Sequence, residues 1–281
     1  MQSAANAAVF AFVVTNMFSV GLGLSLSQIL TPFRSVRLVF SSLVANFIVA
    51  PLFAYAIARS LNLNQAMVIA ILLLGTAAGA PILPKLAEFA RGDLGYSVGL
   101  MVMLMTATVA YMPTVVPLLV PGVHVGRWAV ARPLVAVLLI PLIIGLFLRA
   151  RSARLAARLH PYFRWISTVL LITALTLVTV ANYDELIAID YAHLIGAAAL
   201  LFLVCFVTGF VLAGPTTGTR KVLAFGTAQR DLSAALLVAI ENFPKREIVV
   251  ILTVFALLGA FVQIPLAIAL GRRGPDACEH A

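Results

Sequence analysis

The chain has 281 residues, of which 63% are hydrophobic and 10% charged, where a soluble domain has about half and about a quarter. That excludes a water-soluble enzyme, a coiled coil and a disordered chain, and the strand alternation of a membrane β-barrel is absent, which leaves a polytopic helical membrane protein. The formal charge of +9, from 19 Lys and Arg against 10 Asp and Glu, reports orientation in a bilayer rather than nucleic-acid binding, because the basic residues sit mostly in short loops and no aromatic–basic interleaving accompanies them.

In chain order, nine apolar runs stand out, at 5–29, 36–58, 64–91, 94–120, 128–149, 165–183, 192–213, 219–241 and 247–270, by the rule of about 20 apolar residues per crossing. The first has no basic leader segment or cleavage site and reads as a retained helix. The third is interrupted, because Gly75, Gly79, Pro81 and Pro84 fall close together and disfavour α geometry. The eighth carries Gln229, Arg230 and Asp231 near its middle, where an intramembrane charge costs about 2.5–3.5 kcal/mol on insertion scales. The remaining runs read as continuous helices.

Loops with Arg34, Arg37, Arg91, the arginines between 149 and 164, Arg220, Lys221, Arg272 and Arg273 hold twelve basic residues; the opposite loops hold five, Arg59, Arg127, Arg132, Lys245 and Arg246. The positive-inside rule then places the N-terminus outside and the C-terminus and the 149–164 loop in the cytoplasm, in what is expected to be a bacterial inner membrane. The expected organisation is one transmembrane domain, 1–281. Helices one to four (1–121) form one repeat, and helix five with a cytoplasmic loop (122–160) is unpaired. Helices six to nine (161–271) form an inverted partner, and 272–281 is a cytoplasmic tail. Under that pairing the third and eighth runs are equivalents. Interrupted helices in corresponding positions of two halves point to a transporter's binding site, since unpaired backbone survives in hydrocarbon only where it lines a cavity or is buried in protein.

At these residues the chain resembles the bile acid:sodium symporter family over nearly its whole length. Asn16-Met17-Phe18 followed by Gly21 and Gly23, Asn46-Phe47 before Pro51, Gly75-Thr76-Ala77, Ala90-Arg91-Gly92-Asp93 with Ser97-Val98, and Gln229 follow the family's motifs in order. The resemblance implies a core domain holding two crossover helices and a panel domain of helices one, five and six that moves against it. Nine spans rather than ten imply that the first helix of some bacterial members is missing. The resemblance also shows where the chain departs. The family's Ser-Asn after Gly-Thr-Ala is Ala78-Gly79 here, a hydroxyl position is Met101, the shared Glu is Phe225, and the Asn after the crossover Gln is Arg230. Sodium is a hard cation that wants oxygen ligands, and what remains is Asn46, Ser97, Gln229 and backbone carbonyls, so two bound sodium ions are not expected.

The expectation is therefore an all-α polytopic membrane protein with about nine transmembrane helices in inverted repeats, two interrupted crossover helices, and core and panel domains. It is expected to be a secondary active transporter of a small or amphipathic organic anion, not an enzyme, with no cofactor and with sodium coupling left open. The candidate substrate or ion site is Asn46, Gly75, Thr76, Ala78, Gly79, Ser97, Gln229, Arg230 and Asp231. Arg230 or Lys85 stands in for an ion or meets an anionic substrate; alternatively Arg230 pairs with Asp231, and Lys85 with Glu88 or with lipid headgroups. Asp231 is a candidate proton-coupling carboxylate, and Gln263 reads as a packing amide. A sodium-independent carrier and a non-transporting receptor on the same fold are the alternatives. The partners expected are the lipid bilayer and the anion, with no nucleic acid. His124, His160, His193 and His280 lie in loops or the tail, and Cys205 and Cys278 are too differently placed for a disulfide.

Overall fold

A computed structural model describes residues 2–25, 28, 35–61, 63–120, 126–187 and 189–272. Arg34, His124, Arg273, Cys278, His280 and all but the first residue of the expected tail lie outside the described residues. Those described are all helix and connections, with no strand. In order they are α1 (Gln2–Gly23), α2 (Val36–Ser60), α3 (Gln65–Thr76), α4 (Leu83–Phe89), α5 (Leu94–Leu119), α6 (Arg127–Arg151), α7 (Ala153–Ala181), α8 (Tyr183–Ile187), α9 (Tyr191–Leu212), α10 (Thr217–Ala228), α11 (Leu232–Asn242) and α12 (Arg246–Arg272).

Eight stretches among the described residues are long and apolar enough to cross a bilayer; one of them, Thr217–Asn242, is the α10–α11 pair. The third apolar run is not one of the eight, because it is divided into α3 and α4. Helix starts follow short polar residues. Ser35, Asn64, Asp93, Ser152, Asp190, Thr216 and Asp231 each accept a hydrogen bond from a backbone N–H of the first turn, as N-caps do.

The segment 149–164, read as a loop, is almost entirely helical: α6 runs to Arg151, Ser152 caps the next helix, and α7 starts at Ala153. Arg and Ala are good helix formers, so a basic stretch leaving the bilayer stays helical once its N–H groups are capped.

Two of the long helices contain a widened π turn, at Ala45–Val49 in α2 and Leu134–Leu139 in α6. Pro51 and Pro141 follow these turns closely. Proline lacks an N–H and its ring crowds the carbonyl four residues back, so the ladder opens there. For Pro51 that carbonyl is Phe47 O, and the Tyr111 hydroxyl donates to it at 2.6 Å. The freed acceptor is thereby satisfied and α2 is pinned to α5.

Close helix crossings use small residues. Gly21 of α1 and Gly145 of α6 lie backbone to backbone, and a Cβ on either would strike the other helix. α1 packs along both α6 and α7. On α9, Gly209 lies against the Leu223 carbonyl of α10. α3 is apolar on every face and almost completely buried, as a central helix must be.

Polar ties at the helix ends show which ends share a side. Asn64, at the start of α3, donates to Glu247 Oε1 at the start of α12 at 2.8 Å, and Lys245 Nζ donates to Gln65 Oε1 at 2.6 Å. At the other end, Lys221 in the first turns of α10 donates to Ala90 O after α4 at 2.9 Å and to Leu270 O near the end of α12 at 3.0 Å. α3 therefore begins beside the start of α12 and α10 beside its end, so α3 and α10 run in opposite directions and approach each other with their carbonyl ends.

Candidate functional site

The two breaks meet in the interior. After Thr76 the backbone turns extended at Ala77 (φ −92°, ψ 104°), and after Ala228 it does the same at Gln229 (φ −83°, ψ 119°). The Asp231 amide donates to Ala77 O at 3.1 Å, so each interruption supplies a backbone partner that the other lacks. Gly79 has φ +92°, a left-handed value, and a Cβ there would collide with the Met105 backbone of α5. Only glycine meets both demands. Thr108 of α5 accepts from Ala78 N at 3.0 Å and donates to Ala78 O at 2.9 Å, which pairs both polar groups of that residue.

Arg230 is 5% exposed. Its Nη1 donates to Asn46 Oδ1 at 2.9 Å and its Nη2 to Gly75 O at 2.8 Å. Asn46 is turned to receive it: its Nδ2 donates to Ser42 O at 3.0 Å and to Thr227 Oγ1 at 3.3 Å, which leaves Oδ1 facing the guanidinium. Asn46 itself sits in the π turn of α2. Gly75 lies in the last turn of α3, where a Cβ would strike Ala54 of α2; the missing side chain lets the two helices close around Asn46 and the α3 carbonyl end.

Asp231 does not pair with Arg230. Its Oδ1 caps α11, accepting from Ser233 N at 2.9 Å and Ala234 N at 3.4 Å. The carbonyl end of a helix carries partial negative charge and the amide end partial positive charge. Arg230 serves the end of α3 and Asp231 the start of α11, so the neighbouring charges are bound to opposite helix poles instead of to each other. Among the described side chains, Arg230 Nε and Asp231 Oδ2 are buried without a hydrogen-bond partner.

The expected site residues divide accordingly. Asn46, Gly75, Ala78, Gly79, Gln229, Arg230 and Asp231 come together at the breaks. Thr76 stands there too, but its hydroxyl is turned back onto its own helix, donating to Leu72 O and Leu73 O. Ser97 is buried with its hydroxyl donating to Leu94 O. Gln229 is the partly exposed residue of the second break. Lys85 is not brought to the crossing: its ammonium pairs with Glu88 Oε2 at 2.8 Å, with the lysine side chain 46% exposed. Gln263 is buried in α12 with Oε1 unpartnered. Cys205 is a buried free thiol; His160 and His193, expected in loops, lie in α7 and in the first turn of α9, where His193 pairs with Asp190 at 2.6 Å.

Several contributors were not singled out from sequence. Thr108 and Thr227 carry no local signal: Thr108 shares its run with Thr106 and Tyr111, and nothing in the sequence marks which of these hydroxyls meets a break. Lys221 was assigned to a cytoplasmic loop, yet it is buried. The pair Ser42 and Tyr96, hydroxyl to hydroxyl at 2.8 Å, joins α2 to α5 beneath Asn46.

Against known proteins, the model of the Sodium Bile acid symporter family matches residues 10–189, well over half the chain. The chain belongs to the Sodium Bile acid symporter family. This is a family of transporters, not of enzymes. One curated member is similar along most of its length: the hepatic sodium/bile acid cotransporter of Rattus norvegicus, 23% identical over 261 residues, covering 88% of this chain and 71% of the rat protein. The matched segment ends before α9, so the family match does not extend to Arg230 and the second break.

The family's name implies sodium, and the residues at the crossing bear on whether it fits. Two of the candidate oxygens, Asn46 Oδ1 and Gly75 O, already accept from the Arg230 guanidinium, which puts a fixed positive charge beside them. Asp231, the carboxylate at the breaks, has one oxygen committed to the α11 cap. With the guanidinium on them, Asn46 Oδ1 and Gly75 O do not also fit a bound sodium ion.

Proposed function

We propose that this member of the Sodium Bile acid symporter family is a secondary active transporter that moves a small or amphipathic organic anion by alternating access. The observation that carries the reading is the hydrogen bond between the two breaks, Asp231 N to Ala77 O, deep in the protein. Two interrupted, oppositely directed helices that satisfy each other there make the arrangement expected of inverted-repeat carriers.

In this reading 1–121 and 161–271 are the repeats, α1, α6 and α7 form the moving panel, and the other helices form the core. The close Gly21–Gly145 crossing supports the panel as a unit. The substrate site lies beside the crossing, where the partly exposed Gln229 offers its amide to an anionic group. The N-terminus faces outside and the C-terminus the cytoplasm of a bacterial inner membrane.

The test is uptake of a radiolabelled bile acid and of smaller carboxylates into liposomes containing purified protein, with sodium and proton gradients imposed separately. Saturable uptake above protein-free liposomes is expected, together with its loss in Asn46→Ala. Ligand-dependent thermal stabilisation without flux for any of these anions would favour a receptor on the same fold. A proton-coupled form is a second reading, favoured by Asp231 Oδ2, a buried carboxylate oxygen without a partner. It predicts uptake that collapses with the proton gradient and is lost in Asp231→Asn.

A further inference from the structure

We propose that Arg230 is the resident cation of the crossing: its guanidinium is a covalently tethered ion that neutralises two converging helix carbonyl ends, so that the carrier needs no dissolved cation to assemble its site. The inference deepens the transport reading and rests on it only for the coupling consequence.

α3 ends at Thr76 and α10 at Ala228, and the two approach with their carbonyl ends. Each end carries roughly half a negative charge, so the point where they meet favours a cation of about unit charge. Arg230 lies two residues past the end of α10 and reaches across to Gly75 O in the last turn of α3. Its second engaged nitrogen is held by Asn46 Oδ1. Both acceptors are neutral oxygens, and no carboxylate pairs with the guanidinium among the described residues. The carbonyl oxygen of Gly75 at the α3 pole and the amide oxygen of Asn46 together make a cradle that a small monovalent cation would seek if the arginine were removed. An arginine does not lose its proton in proteins and cannot be released, so the charge is permanent. The orientation of Asn46, enforced by Ser42 O and Thr227 Oγ1, keeps an oxygen aimed at it.

The experiment is thermal unfolding of purified wild type, Arg230→Ala and Arg230→Lys in detergent with choline chloride. Each is then titrated with sodium chloride, potassium chloride or low concentrations of methylguanidinium chloride. Wild type is expected to show no sodium-specific gain. Arg230→Ala is expected to melt lower by roughly 5–15 °C and to regain part of that loss saturably with sodium or methylguanidinium, with Arg230→Lys in between. If Arg230→Ala does not survive extraction, Arg230→Gln repeats the titration. A saturable sodium-specific rise in wild type would overturn the proposal, and so would a neutral variant as stable as wild type or one that no added cation restores. The uptake assay separates the two readings. The expected melting pattern without anion uptake counts against transport alone, whereas sodium-driven uptake in wild type counts against the tethered cation alone.

Discussion

Thr108 holds both backbone polar groups of Ala78 with one hydroxyl, at a depth where water is not available to replace it. Thr108→Val keeps the shape and leaves a buried N–H and C=O unpaired, each worth about 1–3 kcal/mol. The expected result is a clearly lowered melting temperature, with Thr108→Ser close to wild type; a valine variant as stable as wild type would show that the break does not depend on this clamp. Gly79 and Arg230 were visible in the sequence as a helix breaker and an intramembrane charge. Their partners were not, because neither the Met105 backbone nor Asn46 Oδ1 is near in the chain. Arg230 and Asp231 are adjacent in sequence, and an ion pair between them was one of the open readings. Local order cannot reveal that each is bound to a different helix pole.

At the scale of elements, the interruptions were legible because Gly and Pro act on the chain that carries them, whereas the ties between helix ends were not. Lys221 counted with the cytoplasmic basic residues by its position near a run's edge, yet it is folded inward to bind the ends of α4 and α12. Lys221→Met retains the apolar stem and removes both bonds. It is expected to destabilise by about 2–4 kcal/mol and to expose Ala90–Gly92 to proteolysis sooner than in wild type. Unchanged melting and unchanged protease sensitivity would show that the lysine is not needed there. Proline chemistry alone does not decide the π turns before Pro51 and Pro141, because Pro113, Pro117, Pro161 and Pro265 sit in helices without one; the placement of Tyr111 accounts for where the freed Phe47 carbonyl goes.

For the whole molecule, the distribution of basic residues predicts a single orientation, and cysteine labelling tests it. In a background with Cys205 and Cys278 replaced by Ala, right-side-out membrane vesicles bearing Asp184→Cys should react with a membrane-impermeant maleimide. Those bearing Arg154→Cys should react only after the membrane is opened. Both positions are exposed in the protein, so the difference reads sidedness rather than burial, and the reverse pattern would invert the topology. The end ties add an independent constraint: the start of α3 shares a side with the start of α12, and the start of α10 with the end of α12.

The sequence by itself determined that this is a helical membrane protein, roughly where its crossings lie, that two of them are broken and that charge is buried at one break. Hydropathy, proline and glycine act locally, and a charge in an apolar run is conspicuous wherever it sits. The tertiary structure decided which groups those features meet. The breaks satisfy each other, Arg230 lies against the α3 carbonyl end with Asn46, Asp231 caps α11, and Lys85 stays at the surface with Glu88. Hydrogen bonds and helix poles pair groups by their position in space, and residues 46, 75 and 230 become neighbours only when α2, α3 and α10 pack.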